Sequence, residues 1–162
     1  MTGPAGRPRK VLFVCTGNSC RSVMAEGLLK HLAQEAGVDM LVASAGTSAG
    51  EGYRASEPTV RVMAENGIDV SAHRSHRLTL DMVYGADEVY VMERIHRDII
   101  VRTSPEARPK VRLLSELCPE LADAGDPNIP DPIGMSEQFY RNVYDMIRQC
   151  VERILDARAS GE

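Results

Sequence analysis

The sequence predicts a single α/β domain in which a four-stranded parallel sheet carries helices on both faces, with a small polar loop after the first strand. Short apolar runs rich in β-branched residues alternate with stretches of helical periodicity along the chain, which is typical of parallel sheets. The 162 residues suffice for one domain with a substantial core. We expect a flexible lead-in over residues 1–9, the domain over 10–158 and a tail over 159–162.

The composition argues against several classes of protein. A formal net charge of −4 without a large basic block disfavours non-specific nucleic-acid binding. The chain has no apolar run long enough for a membrane span and no apolar segment typical of a secretory signal. Four cysteines in a chain of this length favour reduced thiols in the cytoplasm over a disulfide scaffold. Neither cysteines nor histidines follow a zinc-binding spacing, so no metal is expected.

The first half of the chain contains two predicted strands and two predicted helices. Val11–Val14 is a short apolar run that predicts a strand buried on both faces. Apolar residues then recur at helical spacing over Ser22–Ala36, and Gly37 ends that helix. Met40–Ser44 predicts a second strand. Ser56–Asn66 predicts a helix capped by its first residue.

The second half continues the alternation of strands and helices. The loop over residues 123–134 is predicted from its three prolines and two glycines. The other predicted elements are a short helix over Arg77–Tyr84, a strand over Glu88–Met92, a helix over Arg94–Thr103, a strand over Val111–Leu114 and a long amphipathic helix over Ser136–Ala159.

A cysteine, a small polar loop and an arginine follow the first strand as CTGNSCR, residues 15–21. Ligands bind parallel sheets at the carboxyl ends of their strands. Successive N–H groups of such a loop, together with the positive end of the next helix, can form a cradle for an anion. Arg21 would offer a planar fork to two phosphate oxygens, and Gly17 would permit the tight backbone.

Cys15 would lie at the centre of this positive field. Such a setting favours a nucleophilic thiolate, and the hydroxyl of Ser22 could donate to it. A lone cysteine after an apolar strand is more often a small buried hydrophobe. The position at a strand end, the enclosed Gly-Asn-Ser and the following helix favour the nucleophile.

The segment VCTGNSCRSVMAE at residues 14–26 resembles the low-molecular-weight protein tyrosine phosphatase family. The resemblance extends over residues 10–158 through SAGTS at 44–48, SAHRS at 71–75, VYVM at 89–92 and the DP at 131–132 before the last helix. It implies a protein phosphatase that acts on phosphorylated proteins and needs no metal or other cofactor.

The resemblance also implies the roles of individual residues. Cys15 would attack phosphorus and form a phosphocysteine, Arg21 would hold the equatorial oxygens, and Asp131 would protonate the leaving group and then activate water. On the residues alone, Asp126 is a rival acid, and either Asp-Pro pair could simply form a turn. The implied phosphate-binding residues are Thr16, Gly17, Asn18, Ser19, Cys20 and Arg21. The implied network that supports them consists of Asn18, Ser22, Ser44 and His73.

Cys20 has two interpretations. By resemblance, it would capture oxidised Cys15 as a disulfide and so protect it from overoxidation, and thioredoxin would be the expected reductant of that Cys15–Cys20 bond. Alternatively, Cys20 only packs the loop against the sheet. Both interpretations stay open at this point.

The substrate is predicted from two departures from the tyrosine-specific pattern. Ser19 stands where those members usually carry an apolar residue, and Ile133 follows the Asp-Pro where they carry aromatic residues. The loop resembles that of protein arginine phosphatases, so phosphoarginine is favoured over phosphotyrosine. A thioredoxin-coupled arsenate reductase is the alternative, although residues 71–110 contain no cysteine for its redox relay.

Overall fold

The sheet has four parallel strands in the order β2–β1–β3–β4. The predicted four-stranded parallel sheet is therefore confirmed. The computed structural model describes residues 6–122 and 125–159. The strands are β1 (Arg9–Cys15), β2 (Met40–Gly46), β3 (Glu88–Val91) and β4 (Val111–Leu113).

Six α-helices and two 3₁₀ helices lie within the described residues. The α-helices are α1 (Arg21–Ala36), α2 (Glu57–Glu65), α3 (Leu80–Gly85), α4 (Arg94–Thr103), α5 (Pro119–Ala122) and α6 (Glu137–Ala159). The 3₁₀ helices are Pro105–Lys110 and Leu114–Leu117. The two 3₁₀ helices and α5 were not predicted, because elements this short show no periodicity in the sequence. Among the described residues, no helix combines the length and apolar character needed to cross a membrane.

One predicted helix start and one predicted helix cap differ from the structure. The helix predicted from Arg77 begins only at Leu80, because the hydroxyl of Thr79 accepts a hydrogen bond from the Met82 amide and caps it there. Ser56 precedes α2 as predicted, but its hydroxyl makes no capping bond. That hydroxyl instead contacts Cys20 and Thr59.

The two faces of β1 pack against different helices. Val11 and Phe13 belong to one core cluster, which also holds the apolar sides of α1, α2 and α6. Leu12 and Val14 belong to a second cluster with residues of α3 and α4. The side chains of a strand alternate between faces, so β1 is buried on both sides as predicted. Its carboxyl end leads directly into residues 15–21, which we call the phosphate loop.

Candidate active site

The carbonyl groups of the phosphate loop are bound to the surrounding chain. The carbonyls of Cys15 and Thr16 accept from the amides of Thr47 and Ser48, each at 2.9 Å, and that of Ser19 accepts from Ser56 at 3.0 Å. In a trans peptide the following N–H points opposite to the carbonyl. The amides that follow these carbonyls therefore point away from the residues that bind the carbonyls. This arrangement suits an anion.

Asn18 lies in the middle of the phosphate loop, and its side chain and backbone make several hydrogen bonds. Its φ of 54° lies in the left-handed region, which asparagine tolerates better than most residues. Its side-chain amide donates to the hydroxyls of Ser22 and Ser44, each at 2.9 Å, and its side-chain oxygen accepts from the His76 amide at 2.9 Å. The ring of His73 contacts the Asn18 carbonyl at 2.9 Å. The structure thus brings together the four residues of the predicted network.

One residue of this network was missed from the sequence. Glu26 of α1 accepts a hydrogen bond of 2.5 Å from the Ser44 hydroxyl. Because that hydroxyl itself accepts from Asn18, Glu26 fixes its orientation. Glu26 lies within the quoted segment at residues 14–26, four residues after Ser22 on one face of α1, and this spacing was the available signal.

The sulfur of Cys15 lies 2.9 Å from the hydroxyl oxygen of Ser22. That hydroxyl already accepts a hydrogen bond from Asn18, so its own proton is free to be donated to the sulfur. Cys15 is nearly fully buried at the carboxyl end of β1. The arrangement can stabilise a thiolate at this point.

The guanidinium of Arg21 is fixed by two acceptors that the sequence analysis did not identify. One terminal nitrogen donates to the carboxylate of Glu93 at 2.6 Å and to the carbonyl of Ile129 at 2.7 Å. Only 2% of the Arg21 side chain is exposed. Glu93 follows β3, which is adjacent to β1, so its place at the carboxyl edge of the sheet was the available signal.

Asp131 is the second carboxylate beside this arginine. One of its carboxylate oxygens lies 3.7 Å from a terminal nitrogen of Arg21, and 45% of its side chain is exposed. The other oxygen accepts from the Ile133 amide at 3.1 Å, which forms a local turn. Asp126 makes the equivalent turn with the Asn128 amide. Of the two Asp-Pro candidates, the structure gives Asp131 the ion pair with Arg21.

His96 is a further neighbour of the loop that sequence reasoning missed. It is fully buried on α4, and its Nε2 lies 2.9 Å from the hydroxyl oxygen of Thr16. Its Nδ1 accepts from the Glu93 amide at 3.1 Å. Burial, together with the positive charge of Arg21, lowers the pKa of His96 to about 4, so the ring is neutral at physiological pH.

The family model described as low molecular weight phosphotyrosine protein phosphatase matches residues 10–160. The protein-arginine-phosphatase of Geobacillus stearothermophilus is 38% identical over 92% of this chain and 95% of its own length. A putative low molecular weight protein-tyrosine-phosphatase of Klebsiella pneumoniae is 32% identical over 86% of this chain and 90% of its own. The chain belongs to the low molecular weight phosphotyrosine protein phosphatase family.

A solved structure of the family shares this architecture. The YwlE arginine phosphatase, solved as a mutant with a phosphorylated active-site serine, superposes with a TM-score of 0.84 at 30% identity. The match covers 94% of this chain and 97% of that one. The predicted fold and the predicted enzyme class, a cysteine-dependent protein phosphatase, are therefore confirmed.

The second cysteine of this phosphatase's loop is surrounded by hydroxyl groups. The sulfur of Cys20 lies 3.3 Å from the Ser56 oxygen, 3.5 Å from the Ser19 oxygen and 3.7 Å from the Tyr140 oxygen. Burial raises the pKa of the Tyr140 phenol, which keeps its proton available to the sulfur. Cys15 and Cys20 are both free thiols. Tyr140 was missed because the periodicity of α6 identifies only a buried face.

Large apolar side chains with exposed surface occur in the loop after β2 and in the loop before α6. Ile133, in the loop that carries Asp131, is 56% exposed. The ring of Tyr53 is 69% exposed and lies against Gly50.

Cys118 and Cys150 are fully buried in the core, and burial raises the pKa of the Cys150 thiol.

Proposed function

We propose that this phosphatase hydrolyses phosphoarginine on proteins through a phosphocysteine at Cys15. The observation that carries the proposal is the short contact between the Ser22 hydroxyl and the Cys15 sulfur, in a loop whose carbonyls are bound to the surrounding chain. The buried guanidinium of Arg21 lies beside the same loop, so a dianion bound there would meet a fixed positive charge.

The chemistry proceeds in two steps. The Cys15 thiolate attacks phosphorus, an S–P bond forms and the P–N bond to the arginine breaks, while Asp131 gives its proton to the departing guanidine nitrogen. Asp131 then takes a proton from water as the water oxygen attacks phosphorus. The S–P bond breaks, inorganic phosphate leaves and the thiolate returns.

The choice of phosphoarginine rests on Ser19 and on the relatives. Ser19 places a hydroxyl in the loop. Its half-buried side chain suits a polar guanidinium better than an apolar side chain at this position would. Ile133 offers less stacking surface to a phenol ring than an aromatic residue would. The relative from Geobacillus stearothermophilus supports the same choice by its name.

We also infer that Cys20 acts as a redox partner of Cys15 in the cytoplasm. Its hydroxyl partners are weak hydrogen-bond partners for sulfur, so the thiol can leave them. After a peroxide has oxidised the Cys15 thiolate to a sulfenic acid, the Cys20 sulfur attacks the Cys15 sulfur, the S–S bond forms and water leaves. Thioredoxin would then return both thiols. The acidic net charge of −4 argues against nucleic acid or an anionic membrane as further partners.

The test is a paired rate comparison on two peptides of equal sequence, one with phosphoarginine and one with phosphotyrosine. Cys15→Ser serves as the blank because it keeps the cradle and removes the thiolate. A large excess of kcat/KM for phosphoarginine is expected. An excess for phosphotyrosine would reject the role of Ser19 and keep the phosphatase. Turnover of neither peptide, with thioredoxin-dependent reduction of arsenate, would replace the proposal with the reductase.

A further inference from the structure

Thr16 is the first residue of the phosphate loop after the cysteine, and its side chain has a buried partner. Thr16 is an exposed residue, while His96 has no exposed surface. The 2.9 Å contact between the Thr16 oxygen and His96 Nε2 therefore joins the surface of the loop to the first turn of α4. The His96 ring can therefore set the direction in which the rotatable Thr16 hydroxyl points.

The backbone fixes which nitrogen of the ring carries the proton. Nδ1 of His96 accepts the hydrogen bond from the Glu93 amide, so Nδ1 has no proton in the neutral ring. The proton is then on Nε2, which donates it to the Thr16 oxygen. With one lone pair of that oxygen used, the hydroxyl proton of Thr16 is directed away from the ring.

We propose that His96 is a positioning residue that turns the Thr16 hydroxyl into a hydrogen-bond donor for the phosphoryl group held by the phosphate loop. The inference rests on the proposed function, because it concerns the same anion. Thr16 would touch an oxygen of that anion, and His96 would act only through Thr16.

Glu93 links this pair to the arginine. Its amide fixes the ring of His96, and its carboxylate binds Arg21 at 2.6 Å. One residue at the end of β3 thus orients two donors for the anion, one neutral and one charged. The ring stays neutral next to the guanidinium, as the lowered pKa of His96 indicates.

The competing explanation is that His96 serves only to cap α4. His96→Asn separates the two roles, because its side-chain oxygen can still accept from the Glu93 amide while the shorter side chain cannot reach Thr16. Thr16→Val removes the hydroxyl and keeps the shape, whereas Thr16→Ser keeps the hydroxyl. His31→Asn, on the exposed side of α1, is the matched control for the change of residue type.

The experiment measures the Kd of inorganic phosphate and the kcat/KM for para-nitrophenyl phosphate in these variants and in the double variant. His96→Asn and Thr16→Val should each weaken phosphate binding and kcat/KM by about two- to tenfold, the effect of one neutral hydrogen bond. The double variant should lose no more than either single one. His31→Asn should stay near the parent enzyme, and Thr16→Ser, which keeps a hydroxyl, should lose less than Thr16→Val.

Additive losses in the double variant, or an unchanged His96→Asn enzyme, would overturn the proposal. Nitrogen chemical shifts of the His96 ring give an independent readout, since a proton on Nδ1 would also overturn it. If no phosphoester or phosphoramidate is turned over, the proposed function fails, but the phosphate Kd values still test the coupling between His96 and Thr16. The two failures are therefore distinguishable.

Discussion

The carboxylate of Asp131 lies 3.7 Å from the guanidinium of Arg21, although the two residues are far apart in the sequence. The ion pair joins the loop that carries Asp131 to the arginine of the phosphate loop. Almost half of the Asp131 side chain remains exposed, so its carboxyl can still meet a leaving group. This relationship makes Asp131 the residue to test as the proton donor.

Asp131→Asn should slow hydrolysis of aryl phosphates with poor leaving groups by about 10²- to 10⁴-fold, the usual contribution of a positioned acid. The loss should be smaller for good leaving groups, which depart without a proton. Asparagine can still accept from the Ile133 amide, so the turn should keep its shape. Asp126→Asn, in the equivalent turn, is the control. Equal losses for every leaving group would assign the proton to another residue.

Gly46→Ala should displace the phosphate loop, because the backbone of that loop lies close to Gly46. A Cβ on Gly46 would lie 2.5 Å from the Thr16 carbonyl oxygen and 2.8 Å from the Asn18 amide, so the loop must move. We expect a loss of about 1–3 kcal/mol in the free energy of unfolding and weaker binding of phosphate. Gly85→Ala is the control, because a Cβ there meets nothing within 4 Å. Urea unfolding and phosphate titration measure both effects, and an unchanged phosphate Kd would contradict the prediction.

Tyr140→Phe should speed formation of the Cys15–Cys20 disulfide under mild peroxide. The Tyr140 oxygen is one of the groups that hold the Cys20 sulfur, and its removal frees the thiol to reach oxidised Cys15. We expect a rate increase of about two- to tenfold, from the loss of one weak hydrogen bond. Tyr144→Phe on the same helix is the control, since its hydroxyl bonds Arg148. The measurement is peptide mapping by mass spectrometry. Overoxidised Cys15 beside free Cys20 would count against the redox role.

The buried ring of His96 should make the protein less stable in acid. Its pKa of about 4 lies below the unfolded value of 6.5, so the unfolded chain binds more protons between these values. The stability that the neutral His96 ring contributes is therefore fully present above about pH 6.5, and it is lost as the pH falls toward 4. The loss from this residue between pH 7 and pH 5 should be about 2 kcal/mol. Urea unfolding of the parent and of His96→Asn would measure it. Equal pH dependence in both proteins would refute the assignment.

Much of the framework could be predicted because its signals are local. The bounds of α4 were predicted as Arg94–Thr103 and are confirmed, and β1 was recognised from a run of apolar residues. The network around Asn18 came from the resemblance, since a single histidine such as His73 carries no distinctive pattern. Ser56 shows where local reasoning fails. A serine before a helix predicts a cap, but a tertiary contact with Cys20 takes its hydroxyl.

The missed residues are those whose roles depend on tertiary position. Glu93 and His96 reach the loop because β3 pairs with β1 in the folded sheet. Ile129 contributes only its carbonyl, for which side-chain identity gives no signal. Tyr140 lies on the buried face of α6, and its hydroxyl distinguishes it from its apolar neighbours only once Cys20 is opposite.

The partners that hold the phosphate loop come from separate parts of the chain. Ser44 belongs to β2, His73 to a loop, His96 to α4, and the Ile129 carbonyl to the segment before α6. The shape of the loop therefore depends on contacts with segments that are distant in the sequence. Phosphate binding should accordingly weaken when any of these segments is displaced. A saturating anion would also stabilise the assembled state in proportion to the logarithm of its concentration.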